Sequence, residues 1–169
     1  MSQVPAEHRA TSPQDVACAV VTVSDTRTSA TDSGGDILCE LLVAAGFRVC
    51  AREIIPDEPA RMKPLLERFR DDPTIAAVLL TGGTGLGSRE QTFETVSRLL
   101  TKPLPGYGEL FRFLSYQEIG AAAMLSRAVG GVMGRTVVLS MPGSPAAVRL
   151  AVERIIAPEL RHLVREATR

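Results

Sequence analysis

Tryptophan is absent from the chain, and five phenylalanines and two tyrosines are its only large aromatics. A core built with so few rings must come from Val, Leu, Ile and Ala, as in a sheet flanked by helices. Histidine is almost as scarce, with His8 near the amino terminus and His162 near the other end. Neither a His-dependent hydrolase triad nor a His-rich zinc site fits that supply. Cys18, Cys39 and Cys50 are odd in number and form no C-x-x-C pair. That excludes a disulfide framework and a zinc knuckle, and leaves buried, inert thiols in a reducing compartment as the expectation. Net charge is missing too. Nineteen Lys and Arg balance 19 Asp and Glu, so the chain has neither the basic balance of a nucleic-acid binder nor an acidic tail. No 18 consecutive residues are apolar, and no apolar run of signal-peptide length opens the sequence. The expectation is a soluble, cytoplasmic protein with no membrane and no nucleic-acid partner.

What is present is an apolar fraction of 45% over 169 residues, enough for one core that buries about 70% of the unfolded surface. Residues 1–15 are polar, aperiodic and carry Pro5 and Pro13, so they read as a flexible tail ahead of a single domain over 16–169. Val16–Val23 is continuously apolar and reads as a central strand. A polar loop, Ser24-Asp25-Thr26-Arg27, leads to a helix that begins at Ser33-Gly34-Gly35-Asp36, a capping-box variant, and stops at Gly46. Phe47–Ile55 alternates and reads as a strand near an edge. After Pro56-Asp57-Glu58-Pro59, a helix buries Met62, Leu65, Leu66 and Phe69 despite Pro64 in its path. Ile75–Leu80 is another buried strand, and Gln91–Leu100 a short amphipathic helix. Two helical pieces follow, Glu109–Leu114 and Gln117–Ala128, then a strand at Thr136–Ser140 and a long helix running past Pro158. This alternation is that of an α/β domain with a largely parallel sheet and helices on both faces.

The candidate site starts from Thr81-Gly82-Gly83-Thr84-Gly85, where the buried strand ends. Residues without a Cβ let the backbone approach a ligand, and successive N–H groups can face an anion. It is not a P-loop, because Ser88-Arg89 stands where Lys-Ser or Lys-Thr should be. It is not a dinucleotide fingerprint either, because the third glycine would fall on Ser88. Ligands of open α/β sheets settle outside the carboxyl ends of strands, and Ser24-Asp25-Thr26 and Pro142-Gly143-Ser144 share that placement. Helix amino termini and free amides favour phosphates. Asp57 and Glu90 would repel such a ligand unless a magnesium ion stood between them, held by one or two carboxylates and the phosphates. Arg27, Arg89 and Arg127 are candidates to screen the remaining charge. Each of these residues, taken alone, also serves as an ordinary cap or surface group.

Several motifs then occur in a fixed order: Thr22-Val23-Ser24-Asp25, Asp32-Ser33-Gly34, Ile55-Pro56-Asp57-Glu58, Thr81-Gly82-Gly83-Thr84-Gly85, Pro105-Gly106-Tyr107-Gly108-Glu109, Leu125-Ser126-Arg127-Ala128 and Met141-Pro142-Gly143-Ser144. Together they resemble the MoaB/Mog family of molybdenum-cofactor biosynthesis proteins, from roughly Val16 to His162. Leu110–Gly120 and Ile155–Glu159 look most like the MoaB branch. The resemblance implies a three-layer α/β/α sandwich that assembles as a trimer or hexamer. It implies molybdopterin adenylyltransferase activity, in which molybdopterin and Mg-ATP give adenylyl-molybdopterin and pyrophosphate, with the molybdenum-insertion protein as a further partner. By motif, Asp57 and Glu90 would be the catalytic, Mg2+-linked carboxylates. Ser24, Asp25, Thr81, Gly82, Gly83, Thr84, Gly85, Arg89, Arg127, Pro142, Gly143 and Ser144 would contact nucleotide, phosphate or pterin, with Ser126 near the pterin. The chain departs from the family's Arg-Asp-x-Thr-Pro-Glu, reading Arg89-Glu90-Gln91-Thr92-Phe93-Glu94. Glutamate keeps the charge and moves it out by one methylene. A non-catalytic pterin-binding or carrier protein is therefore the alternative expectation, and a nucleotide-binding module of other purpose the third.

Overall fold

In the computed structural model residues 12–169 are described, and the first of them already belong to the packed body. Ser12 is buried, and Asp15 pairs with Arg48 at 3.3 Å. Most of the tail expected over 1–15 lies outside the described residues. Strand β1 (Ala17–Val23) is buried at every position. Its period of two sends Cys18 and Val20 to one core and Ala19, Val21 and Val23 to the other, which is why it reads as a continuous apolar run.

Helix α1 (Ser33–Ala44) is capped by Asp32, not by Ser33 as the capping-box reading expected: the Asp32 carboxylate accepts from Gly35 N at 3.0 Å. Next come β2 (Arg48–Ile55), α2 (Pro59–Asp71), β3 (Ala77–Thr81) and α3 (Thr92–Leu99). Pro64 sits inside α2, where it removes one backbone donor without ending the helix. A two-residue strand β4 (Lys102–Pro103) precedes α4 (Pro105–Ile119). That helix is one piece rather than the two expected, starting on Pro105 and stopping where Gly120 turns to a φ of 65°. Gly120–Leu125 is a 3₁₀ turn, and β5 (Val129–Met133) and β6 (Thr136–Met141) form a hairpin. The closing helix has two segments, α5 (Pro145–Ala151) and α6 (Ala157–Thr168), joined by a π turn over Val152–Ile156. Pro158 cannot donate to the carbonyl four residues back, and the preceding turn widens so that Ala157 N–H reaches Val152 O.

The sheet order is β2-β1-β3-β6-β5-β4. The first four strands are parallel and the β6-β5-β4 end is antiparallel, giving the mostly parallel three-layer arrangement that the motifs implied. Helices α1, α4, α5 and α6 cover one face through Leu38, Leu42, Phe111, Val148 and Leu160. Helices α2 and α3 cover the other through Met62, Leu66, Phe69 and Val96. Among the described residues no helix is long and apolar enough to cross a membrane.

The cysteines meet the expectation of burial only in part, with Cys39 half-buried. Cys18 is buried and its thiol is pushed up to about 12, chiefly by burial, which makes it inert. Cys50 is exposed, because β2 is an edge strand whose alternate residues face outward.

Candidate functional site

The parallel strands β1, β2, β3 and β6 end together, and their loops are tied to one another rather than free. Ser24 N donates to Ile55 O at 2.9 Å, Gly82 N to Met141 O at 3.0 Å, and Thr81 Oγ1 to Pro142 O at 3.3 Å. Gly82 takes a φ of 98° and packs on the carbonyl of Val23, so close that no side chain fits there. A cleft of about 410 Å³ opens between these loops, lined by Ser24, Arg27, Asp32, Gly34, Gly82 and Ser144 among others. It lies where ligands of open α/β sheets bind.

Asp57, at the end of β2, is only 6% exposed. Its Oδ1 accepts from Thr92 Oγ1 at 3.1 Å, and its backbone N–H donates to Asp25 Oδ1 at 3.2 Å. Its Oδ2 is buried without a hydrogen-bond partner, next to Gly83. Burial raises the Asp57 carboxyl above its ordinary value, and the negative charges of Glu90 and Asp25 add to the rise. Glu90 comes from the loop after β3 and folds its carboxylate onto Gly85, where Oε2 is likewise buried without a partner. Both acids are thus packed on one glycine loop, within one chain.

The other expected residues divide. Asp25 is on the rim, held below the usual carboxylate range by the Arg89 guanidinium, which donates to it at 3.0 Å. Ser24 Oγ accepts from the amides of Thr26 and Arg27 at 3.2 and 3.1 Å, and Ser144 caps α5 by accepting from Ala147 N at 3.3 Å. Thr84 is buried and its carbonyl accepts from Arg127 N at 3.3 Å.

Arg127 is placed differently from its expected screening role. Its guanidinium pairs with Glu94, donates to Glu90 O at 3.3 Å and lies 5.3 Å from the Phe93 ring centroid. It ties the 84–94 segment together and, like Asp57 and Glu90, is not among the residues that line the cleft. Ser126 Oγ accepts from Ala128 N at 3.4 Å, and Ser126 is not among the cleft residues either.

Three residues were not singled out in sequence. Asp32 is 2% exposed and holds Thr22 Oγ1 at 2.7 Å, Arg52 at 2.8 Å and the α1 amide. Thr92 fixes Asp57, and Thr22 fixes Asp32. Only the Thr22-Val23-Ser24-Asp25, Asp32-Ser33-Gly34 and Thr92-Phe93-Glu94 motifs hinted at them.

The model of a family described as "Probable molybdopterin binding domain" matches residues 19–162. The chain belongs to the MoaB/Mog family. Within that family, Molybdenum cofactor biosynthesis protein B of Bacillus subtilis is 49% identical over 162 residues, covering 95% of each chain. A crystal structure of a Molybdenum cofactor biosynthesis protein B superposes with a TM-score of 0.88 at 49% identity, over 92% of this chain and 97% of that one. The tungsten cofactor synthesizing protein MoaB from Pyrococcus furiosus superposes with a TM-score of 0.82 at 33% identity, over 93% and 99% of the two chains.

The MoaB/Mog resemblance implies magnesium, and the residues fit it in a limited way. Among the described residues no three His, Cys, Asp or Glu side chains cluster as an all-protein metal site. What exists is a pair of carboxylates, each with one buried oxygen lacking a partner. One or two carboxylates with substrate phosphates completing the shell is the usual arrangement for Mg2+.

Proposed function

We propose that the protein adenylylates molybdopterin in molybdenum cofactor biosynthesis, using Mg-ATP and releasing pyrophosphate. The observation that carries this reading is the packing of Asp57 and Glu90, each with an unpartnered buried oxygen, on the glycine loop whose first residues, Thr81 and Gly82, line the cleft at the strand ends. Family membership supports the pterin as the acceptor.

The acceptor is a phosphate monoester, already ionised at neutral pH, so no general base is required. One of its oxygens attacks the α-phosphorus of ATP, the bond to the bridging oxygen breaks, and pyrophosphate leaves with that electron pair. Amides of Gly82–Gly85 and the helix start at Ser144 orient phosphates in this reading. Arg27, which lines the cleft, screens charge. Asp57 and Glu90 would hold Mg2+, which supplies charge neutralisation on the phosphates when bound. Positioning is the remaining contribution, and it comes from the loop ties described above.

Trimers or hexamers are part of the same proposal. Phe113, Tyr116, Ile119, Met124 and Leu125 are exposed along α4 and the 3₁₀ turn, a surface suited to a second copy. The product would then pass to the molybdenum-insertion protein in the cytoplasm.

The experiment mixes purified protein, molybdopterin, ATP and Mg2+ and follows adenylyl-molybdopterin by chromatography. Asp57→Ala is expected to abolish the product and retain pterin affinity. Pterin binding by the unaltered protein with no product at any ATP concentration would favour the non-catalytic carrier. ATP binding with no pterin affinity would favour the unrelated nucleotide module.

A further inference from the structure

The carboxylate of Glu90 occupies the space that a side chain on residue 85 would fill. A Cβ on Gly85 would stand 2.9 Å from both Cδ and Oε1 of Glu90, and nearer still to Oε2. Gly85 is not among the glycines with positive φ, so its backbone accepts alanine and only the methyl's volume is refused. Gly87, two residues on, differs: its Cβ would meet nothing nearer than Glu90 Cγ at 4.0 Å, an ordinary contact. The main chain at residue 90 is held on both sides, with Glu90 N donating to Gly87 O at 3.0 Å and Arg127 donating to Glu90 O at 3.3 Å. With the backbone pinned, what the side chain folds onto decides where its charge comes to rest.

We infer that Gly85 is a positioning residue matched to the length of the acid at 90. The bare backbone there gives the glutamate's extra methylene room to bend back, which returns the carboxylate to the loop beside Asp57. An aspartate at 90 is one methylene shorter and needs no such space. The catalytic consequence rests on the adenylyl-transfer reading, whereas the steric match does not.

Four variants test it: Gly85→Ala, Gly87→Ala, Glu90→Asp and the double variant Gly85→Ala/Glu90→Asp. Because the obstructing group is the end of a flexible side chain, Gly85→Ala is expected to fold with its melting temperature little changed. In its crystal structure the Glu90 carboxylate should have swung off residue 85. Its kcat should fall by about 10²-fold, the scale of a misplaced catalytic group, with KM for molybdopterin within about twofold of the parent. Gly87→Ala should match the parent. In the Glu90→Asp background the alanine at 85 should have no further effect, a non-additivity that a general loosening of the loop would not produce. A carboxylate that stays in place in the Gly85→Ala crystal overturns the match. Equal losses for Gly85→Ala and Gly87→Ala, or additive losses in the double variant, overturn the positioning role. If the parent protein forms no adenylylated pterin, the enzymatic reading fails by that measurement alone, and the crystal structure still decides the match.

Discussion

Thr92 Oγ1 donates to Asp57 Oδ1 at 3.1 Å, and the second oxygen of that carboxylate is left buried beside Gly83 with no donor. Half of the acid is satisfied and half is not. Burial, with lesser contributions from Glu90 and Asp25, keeps its pKa above the ordinary 3.8, although the Gln91 amide and Thr92 hydroxyl pull the other way. A raised native value means that the folded chain binds this proton more tightly than the unfolded one. The resulting stability is fully present below 3.8 and lost as pH rises through the native value. At neutral pH the charged acid therefore weakens the fold. Asp57→Asn should raise the urea midpoint at pH 7, and the gain should vanish on titration to below 3.8. A lower midpoint for Asp57→Asn at pH 7 would contradict this.

Arg127→Met should loosen the segment that carries Glu90. The arginine side chain is 20% exposed and its loss leaves Glu94 without its cation. A destabilisation of about 2 kcal/mol is expected in urea titration, between the values for exposed and fully buried pairs. Combining it with Glu94→Gln should give less than the sum of the two single effects. Full additivity would mean that the pair carries no coupling.

Asp32 separates two roles by substitution. Alanine removes the α1 cap and strands Thr22 and Arg52, for a loss of about 3 kcal/mol. Asparagine retains the cap acceptor but puts an NH2 donor where Oδ2 accepts from Thr22 and Arg52, so only the cap is kept and a loss about 1 kcal/mol smaller than alanine's is expected. Indistinguishable unfolding curves for the two variants would show that capping contributes nothing there.

Phe113→Glu with Tyr116→Glu should shift the mass measured by light scattering toward the monomer, since both rings are more than half exposed, at 60% and 62%. The loops around the cleft all come from one chain, so adenylylation per subunit should survive. An unchanged mass would remove this face from the proposed self-contact.

The readable parts of the chain were those with a local cause. Strands β1, β3 and β6 are buried on both faces and so appear as unbroken apolar runs. The site loops could be found because small and acidic residues follow such runs directly. Strand β5 could not: two of its five residues are glycine, and it is a strand only because β4 and β6 flank it. Asp32 reads as a loop residue ahead of the capping box until Gly35, Thr22 and Arg52 gather on its carboxylate. Arg127 reads as a free cation until Glu94 and Phe93 close around it. In each case the missing information was a neighbour distant in sequence.

The sheet terminates at β4 with only Lys102 and Pro103, both exposed. Proline offers no N–H outward and lysine carries charge, so that margin cannot template an incoming strand. Intermolecular zippering of backbones is closed off on this side. In the proposed oligomer, copies of the chain would then meet through helix side chains, a contact that can close on itself where strand addition would continue without limit.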